Sequence, residues 1–184
     1  KIPRNYSTFF HSFFTKNNCE WIVSGITYKS QIFLNLDNNE MFDNLCTDKK
    51  NNRCWHKAWC SPDGNTLAVD GCVWGGQYNI IFFDIKDISS NKGWSELDQN
   101  DYYDTTQLKE PHWNEDGTFT MYSSNDYKFY DNKYYHFQDE EYRSPELENI
   151  VENDHVDAYY IFQRIDNSMI LSKKWESDDL IRWT

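Results

Sequence analysis

No stretch of this sequence approaches the roughly 18 consecutive apolar residues that a membrane-crossing helix needs, so no such span is expected. Basic residues are also in short supply: 18 Lys and Arg stand against 30 Asp and Glu, a net charge of −12. A surface of that sign repels phosphate backbones and anionic headgroups. Nucleic acid and membrane are therefore excluded as expected partners, and a basic protein or a cation fits better. Solubility alone accounts for the same charge. The chain opens at Lys1 with no apolar signal core behind it. The triplet Asn5-Tyr6-Ser7 is an isolated glycosylation sequon. The five cysteines, Cys19, Cys46, Cys54, Cys60 and Cys72, are odd in number and irregularly spaced. That pattern does not suit a disulfide framework. It suits thiols packed as small hydrophobes in a reducing compartment. An intracellular, cytoplasmic location is expected, with virion association as its variant. No cofactor is expected.

What the chain does have is aromatic weight, 18% of its 184 residues, and β-rich hairpins between turn formers. Large rings can fill a core on a modest aliphatic content. A first segment reads as strand Glu20–Gly25, turn Tyr28–Ser30, strand Gln31–Leu36 and closing turn Asp37–Glu40. In a second, Ser61-Pro62-Asp63-Gly64-Asn65 is a turn, because Pro presets φ and Gly accepts positive φ. Strand Thr66–Gly71 follows, then the near-continuous apolar run Tyr78–Ile85, suited to a buried strand. A third opens at Asn114-Glu115-Asp116-Gly117 and runs through strand Thr118–Ser123, a turn at Asn125-Asp126 and strand Tyr127–Tyr130. A fourth hairpin is Ala158–Ile165, turn Asp166–Ser168, and Met169–Lys173. Helix is scarce: Ser144 caps a short one with Pro145 at its first position. The polar stretch Ser89–Tyr103 reads as a long loop anchored by Trp94. Gly25 and Gly71 recur at a spacing of 46 residues, and Gly64 and Gly117 at 53. Self-similarity at about 40–50 residues is what propeller blades show.

Ser61-Pro62-Asp63-Gly64, Leu67-Ala68-Val69-Asp70-Gly71-Cys72, Trp74 and Ile80–Asp84 together resemble a family of short, uncharacterised propeller-like proteins of bacteria and large DNA viruses, distantly WD-repeat-like. The likeness extends to Arg4-Asn5-Tyr6, His11-Ser12-Phe13 and Trp55 through Trp59, about the first half of the chain. It implies a fold and no chemistry. Members carry a further hairpin before the Arg-Asn-Tyr segment, so residues 1–184 are expected to form one domain that lacks it.

Candidate sites concentrate in the centre of the chain. Cys54, His56, Cys60 and Cys72 carry atoms that suit zinc, but their spacing is not that of a paired knuckle, so no metal site is expected. A thiolate nucleophile would need Cys60 beside His56 or His11. Asp70-Gly71-Cys72-Val73-Trp74-Gly75-Gly76 is the best binding candidate: its glycines permit close backbone approach, with Asp70 and Trp74 presenting a carboxylate and a ring. The mechanical reading of the same residues is a bulge at Gly71, a turn at Gly75-Gly76 and a core-capping Trp74. It is no phosphate loop, since no Lys-Ser or Lys-Thr follows. Trp55, His56 and Trp59 complete the set of binding candidates. The acidic clusters at Asp98–Asp104, Asp139–Glu141 and Glu146–Asp157 read as solvated surface.

The expected protein is an all-β, propeller-like domain of repeated antiparallel hairpins, acting as a non-catalytic binding or scaffold module for a protein partner. A hydrolase or lyase working at the central end of the propeller is the enzymatic alternative. A structural component of a viral or cellular assembly is the third.

Overall fold

The structure is a computed structural model that describes residues 10–27, 30–45, 53–73, 76, 78–89, 94–99, 110–131, 133–136, 144–148 and 154–176. Its architecture is all-β, with antiparallel sheets. The first sheet is a sequential meander of β1 (His11–Lys16), β2 (Cys19–Thr27), β3 (Ser30–Asn35) and β4 (Met41–Leu45). Asn17 and Asn18 both take positive φ in its first turn (53° and 59°). That is the two-residue turn whose twist matches the flanking strands, and Asn tolerates it best after Gly.

The second sheet repeats the meander with β5 (Arg53–Cys60), β6 (Thr66–Val73), β7 (Asn79–Asp84) and the short β8 (Ser95–Glu96). The Ser61–Asn65 turn is built as its residues suggest. Gly64 sits at φ +69°, its amide donates to the Ser61 carbonyl (2.9 Å), and the Ser61 amide closes the turn on the Thr66 carbonyl (2.8 Å). Asn114–Thr118 repeats this pattern with Gly117 at φ +80°.

The third sheet takes β9 (Asp98–Gln99), β10 (His112–Trp113), β11 (Phe119–Tyr130), β12 (Lys133–His136), β13 (Asp154–Ile165) and β14 (Ser168–Glu176), in the order β10-β11-β13-β14-β9 with β12 on the far end of β11. β9 joins β14 in parallel, so the chain leaving the second sheet edges the third before entering it. A single helical turn, α1 (Pro145–Glu148), lies between β12 and β13, with the Leu147 amide on the Ser144 carbonyl.

The second sheet is the centre of the stack, and its sequence shows why. Leu67, Val69, Ile81 and Phe83 point into one core shared with Val23 and Phe33 of the first sheet. Ala68, Ile80 and Phe82 point the other way, into a core shared with Phe119, Met121, Tyr160 and Phe162 of the third. Side chains alternate along a strand, so one buried on both faces must be apolar at every position. That is the origin of the unbroken run Ile80–Phe83.

Three expectations need correction. β11 runs unbroken from Phe119 to Tyr130, so there is no turn at Asn125-Asp126: both residues pair with β13, opposite Val156 and His155. The hairpin β13–β14 is no separate unit, because it completes the sheet that β10 and β11 begin. The polar stretch after Ser89 is not all loop; it contains β8 and β9. Trp94 anchors it, buried against Phe33 (ring centroids 4.3 Å) and Trp55 (6.3 Å). Gly25 and Gly71, paired by spacing, both fall in the second strand of a meander.

Candidate functional site

Edge strands of the three sheets lie together: β1 and β10 both contact β5. Where they meet, Phe10, His11, Ser12, His56, Lys57, Trp59 and Glu110 line an open cleft of about 440 Å³. Lys57 reaches across it to Glu110, Nζ to Oε2 at 3.0 Å, with both side chains well exposed.

One irregularity in β5 shapes this site. Trp55 pairs with Gly71 and Lys57 pairs with Asp70, which leaves His56 as the extra residue of a β-bulge. A bulge interrupts side-chain alternation, so Trp55 and Ala58 both reach the first core although they are three residues apart. His56 is turned toward Asp70, whose Oδ2 lies 3.1 Å from its Nδ1. The carboxylate is 10% exposed and the imidazole 42%. The Tyr78 ring stands edge-on to the imidazole (centroids 5.5 Å, 83°). Gly71 serves the same irregularity from the neighbouring strand. A Cβ there would collide with the Cys54 carbonyl oxygen. Arg53 straps the strands at this end by donating to the carbonyls of Gly71 (2.5 Å) and Asn79 (2.7 Å).

Of the residues singled out from sequence, His56 and Asp70 are in direct contact, and Trp59 lines the same cleft with its ring against Phe119. Trp55 is a core residue, packed on Phe83 (4.9 Å) and Phe10 (6.2 Å). Trp74 lies outside the described residues, as do the sequon, Cys46 and the cluster Asp139–Glu141. The four zinc-type side chains do not converge. Cys54 and Cys72 face each other across β5 and β6, whereas Cys60 packs on the first core. Cys60 is the opposite of an activated nucleophile: burial pushes its thiol up to about 12, against the opposing pull of Lys16.

His11, Ser12 and Glu110 were not singled out for the cleft. Glu110 stands 53 positions from Lys57, so only the stacking of sheets reveals that pair. The motif Cys54–Cys60 did contain Lys57, and a lone basic residue among Trp55, His56 and Trp59 was the available signal.

The chain is similar to an uncharacterised protein of Acanthamoeba polyphaga mimivirus, 43% identical over 130 residues, which is 68% of this chain and 51% of that relative. It thus spans about half the length of the curated relative it matches. The viral side of the resemblance read from the sequence is supported by that similarity. No protein-family model matches the chain. No solved structure matches it.

Proposed function

We propose that the chain is a non-catalytic binding module, that its stacked meanders are blades of a small propeller-like arrangement, and that a protein partner docks over the cleft between β1, β5 and β10. The observation that carries this reading is the open cleft formed where β1 and Glu110, just ahead of β10, meet the edge strand β5, while the faces between sheets are filled by two apolar cores. In a propeller the first strand of each blade faces the common axis, and recognition falls to residues exposed at that end. The cleft offers ring edges (His11, His56, Trp59) beside an exposed ion pair (Lys57–Glu110), a mixture that suits a polypeptide surface. The net charge of −12 favours a basic partner. A cytoplasmic or virion-associated setting belongs to the same proposal, in keeping with the mimivirus relative.

Site-specific photo-crosslinking tests it. A crosslinking residue at His11 or Glu110 should capture one stoichiometric, salt-sensitive partner in lysate of the source, and one at Ile170, exposed on the third sheet, should not. Equal capture at all three positions, or none at low salt, overturns the reading.

The contact between His56 and Asp70 favours a second reading, a hydrolase or lyase at the same cleft. With Nδ1 engaged by a carboxylate, the other ring nitrogen is left to accept a proton. Turnover of a chromogenic ester or glycoside panel that is lost in His56→Ala and Asp70→Asn alike would establish this reading. A panel without turnover would leave the binding module.

A further inference from the structure

Cys54 and Cys72 are directly opposed across the antiparallel pair β5–β6. Residues in that relation have Cα atoms about 4.5 or 5.5 Å apart and share one face of the sheet. Both spacings fall inside the range that a disulfide spans without backbone movement, about 4.4–6.8 Å. Beside the pair the strands come unusually close, because the Cys54 carbonyl fills the space that a Cβ on Gly71 would need. Cys72 is buried and Cys54 half-buried, so the pair has an inner and an outer sulfur. The other described cysteines have no such arrangement: Cys19 is in the first sheet and Cys60 packs on the far face of β5.

We propose that Cys54 and Cys72 are a thiol–disulfide couple, closed by exchange with a small-molecule disulfide such as oxidised glutathione. The Cys54 thiol gives its proton to water, and its thiolate attacks one sulfur of the glutathione disulfide. That S–S bond breaks and the first glutathione leaves as a thiol after taking up a proton. The Cys72 thiol then loses its proton, its thiolate attacks the Cys54 sulfur of the mixed disulfide, that S–S bond breaks, and the second glutathione leaves as a thiol after taking up a proton. Two protein thiols are oxidised and one glutathione disulfide is reduced to two thiols, so electrons and protons balance. The bridge joins β5 and β6 two residues from His56 on one strand and two from Asp70 on the other, which ties the bulge in place. Burial and the neighbouring Cys72 hold the Cys54 thiol above its ordinary value. Its thiolate is therefore scarce at neutral pH, and closure accelerates about tenfold per pH unit.

The test is made on the full chain, reduced and then equilibrated in glutathione buffers of rising oxidised fraction. Free thiols are blocked, and the intact mass and linked peptides are read. The expected result is loss of two hydrogens per chain, a peptide joining Cys54 to Cys72, and a closing rate that rises about tenfold from pH 7 to pH 8. Cys72→Ser should stop at the glutathione adduct on Cys54. The proposal is overturned if the unmodified chain keeps all its thiols in fully oxidised buffer, if it stops at the adduct, or if the link joins other cysteines. The unmodified chain decides the matter even if the variant does not fold.

Discussion

Lys16 and Arg164 hold the same turn from opposite sheets. Lys16, 6% exposed at the end of β1, donates to the Gly64 carbonyl (2.7 Å) and to Asn65 Oδ1 (3.0 Å). Arg164, near the end of β13, donates to the Asn65 carbonyl (3.0 Å) and Thr66 Oγ1 (2.8 Å), and pairs with Asp84 at 2.6 Å. The turn Ser61–Asn65 of the central sheet is thus a point where all three sheets are joined by polar contacts, at the end of β5 away from the His56 bulge.

Removing Arg164 should therefore loosen the third sheet from the second. Arg164→Ala leaves Asp84 and the Asn65 carbonyl without this donor. The expected cost is about 2 kcal/mol, the scale for a charge-assisted hydrogen bond left half-made. Urea denaturation should show the lower midpoint, and Arg164→Lys should recover only part of it, because an ammonium lacks the guanidinium fork.

Acid should act through the same turn. Burial alone would raise the carboxyls of Asp63 and Asp84. The contacts of Asp63 with Ser61 and Asn65, and of Asp84 with the Lys86 amide and Arg164, outweigh it and hold both below the usual carboxylate range. The folded state binds these protons less readily than the unfolded chain does. The stabilisation is present above the unfolded value, about 3.9, and is lost as pH falls through the depressed folded values. Melting temperature should be flat near neutrality and drop below about pH 4, with a shallower drop in Asp84→Asn.

Glycine substitutions should separate close approach from backbone conformation. Gly71→Ala drives a methyl group into the Cys54 carbonyl and should cost about 2–3 kcal/mol, on the scale of overpacking. Gly117→Ala meets nothing within 4 Å, and its cost of about 1 kcal/mol should come from positive φ alone. Equal destabilisation of the two in thermal melts would contradict this account.

The Cys60 thiol should be nearly inert while the chain is folded. With its pKa pushed up to about 12, its thiolate fraction at pH 8 is on the order of 10³ lower than that of an ordinary thiol near 8.5. Timed alkylation with peptide mapping should show Cys60 labelled on the order of 10³-fold faster in urea than in buffer.

Aromatic truncations should sort by layer. Phe82 is 1% exposed and packs on Trp113, Phe119 and Phe162 between the second and third sheets. Phe82→Ala should cost about 3–5 kcal/mol. Phe13 is 64% exposed on the first sheet, and Phe13→Ala should fall within about 0.5 kcal/mol of the parent in the same melts.

Much of this was legible in the sequence because it is local. Positive-φ turns at Gly64 and Gly117, the hairpin closed by Asp166-Asn167, the short helix opening at Pro145 and the doubly buried run Ile80–Phe83 all rest on φ preferences and strand alternation, which a short window carries. The spacing of Gly25 and Gly71 marked two equivalent strands because the meander recurs along the chain. What only the tertiary structure decided depends on contacts between distant parts of the chain. Asn125-Asp126 read as a turn until pairing with β13 held it extended, since a ladder of backbone hydrogen bonds outweighs local propensity. No window contains both Lys57 and Glu110, or Arg164 and Asn65. The contact of His56 with Asp70 needed a bulge, and a bulge is set by the register of two strands rather than by the composition of either.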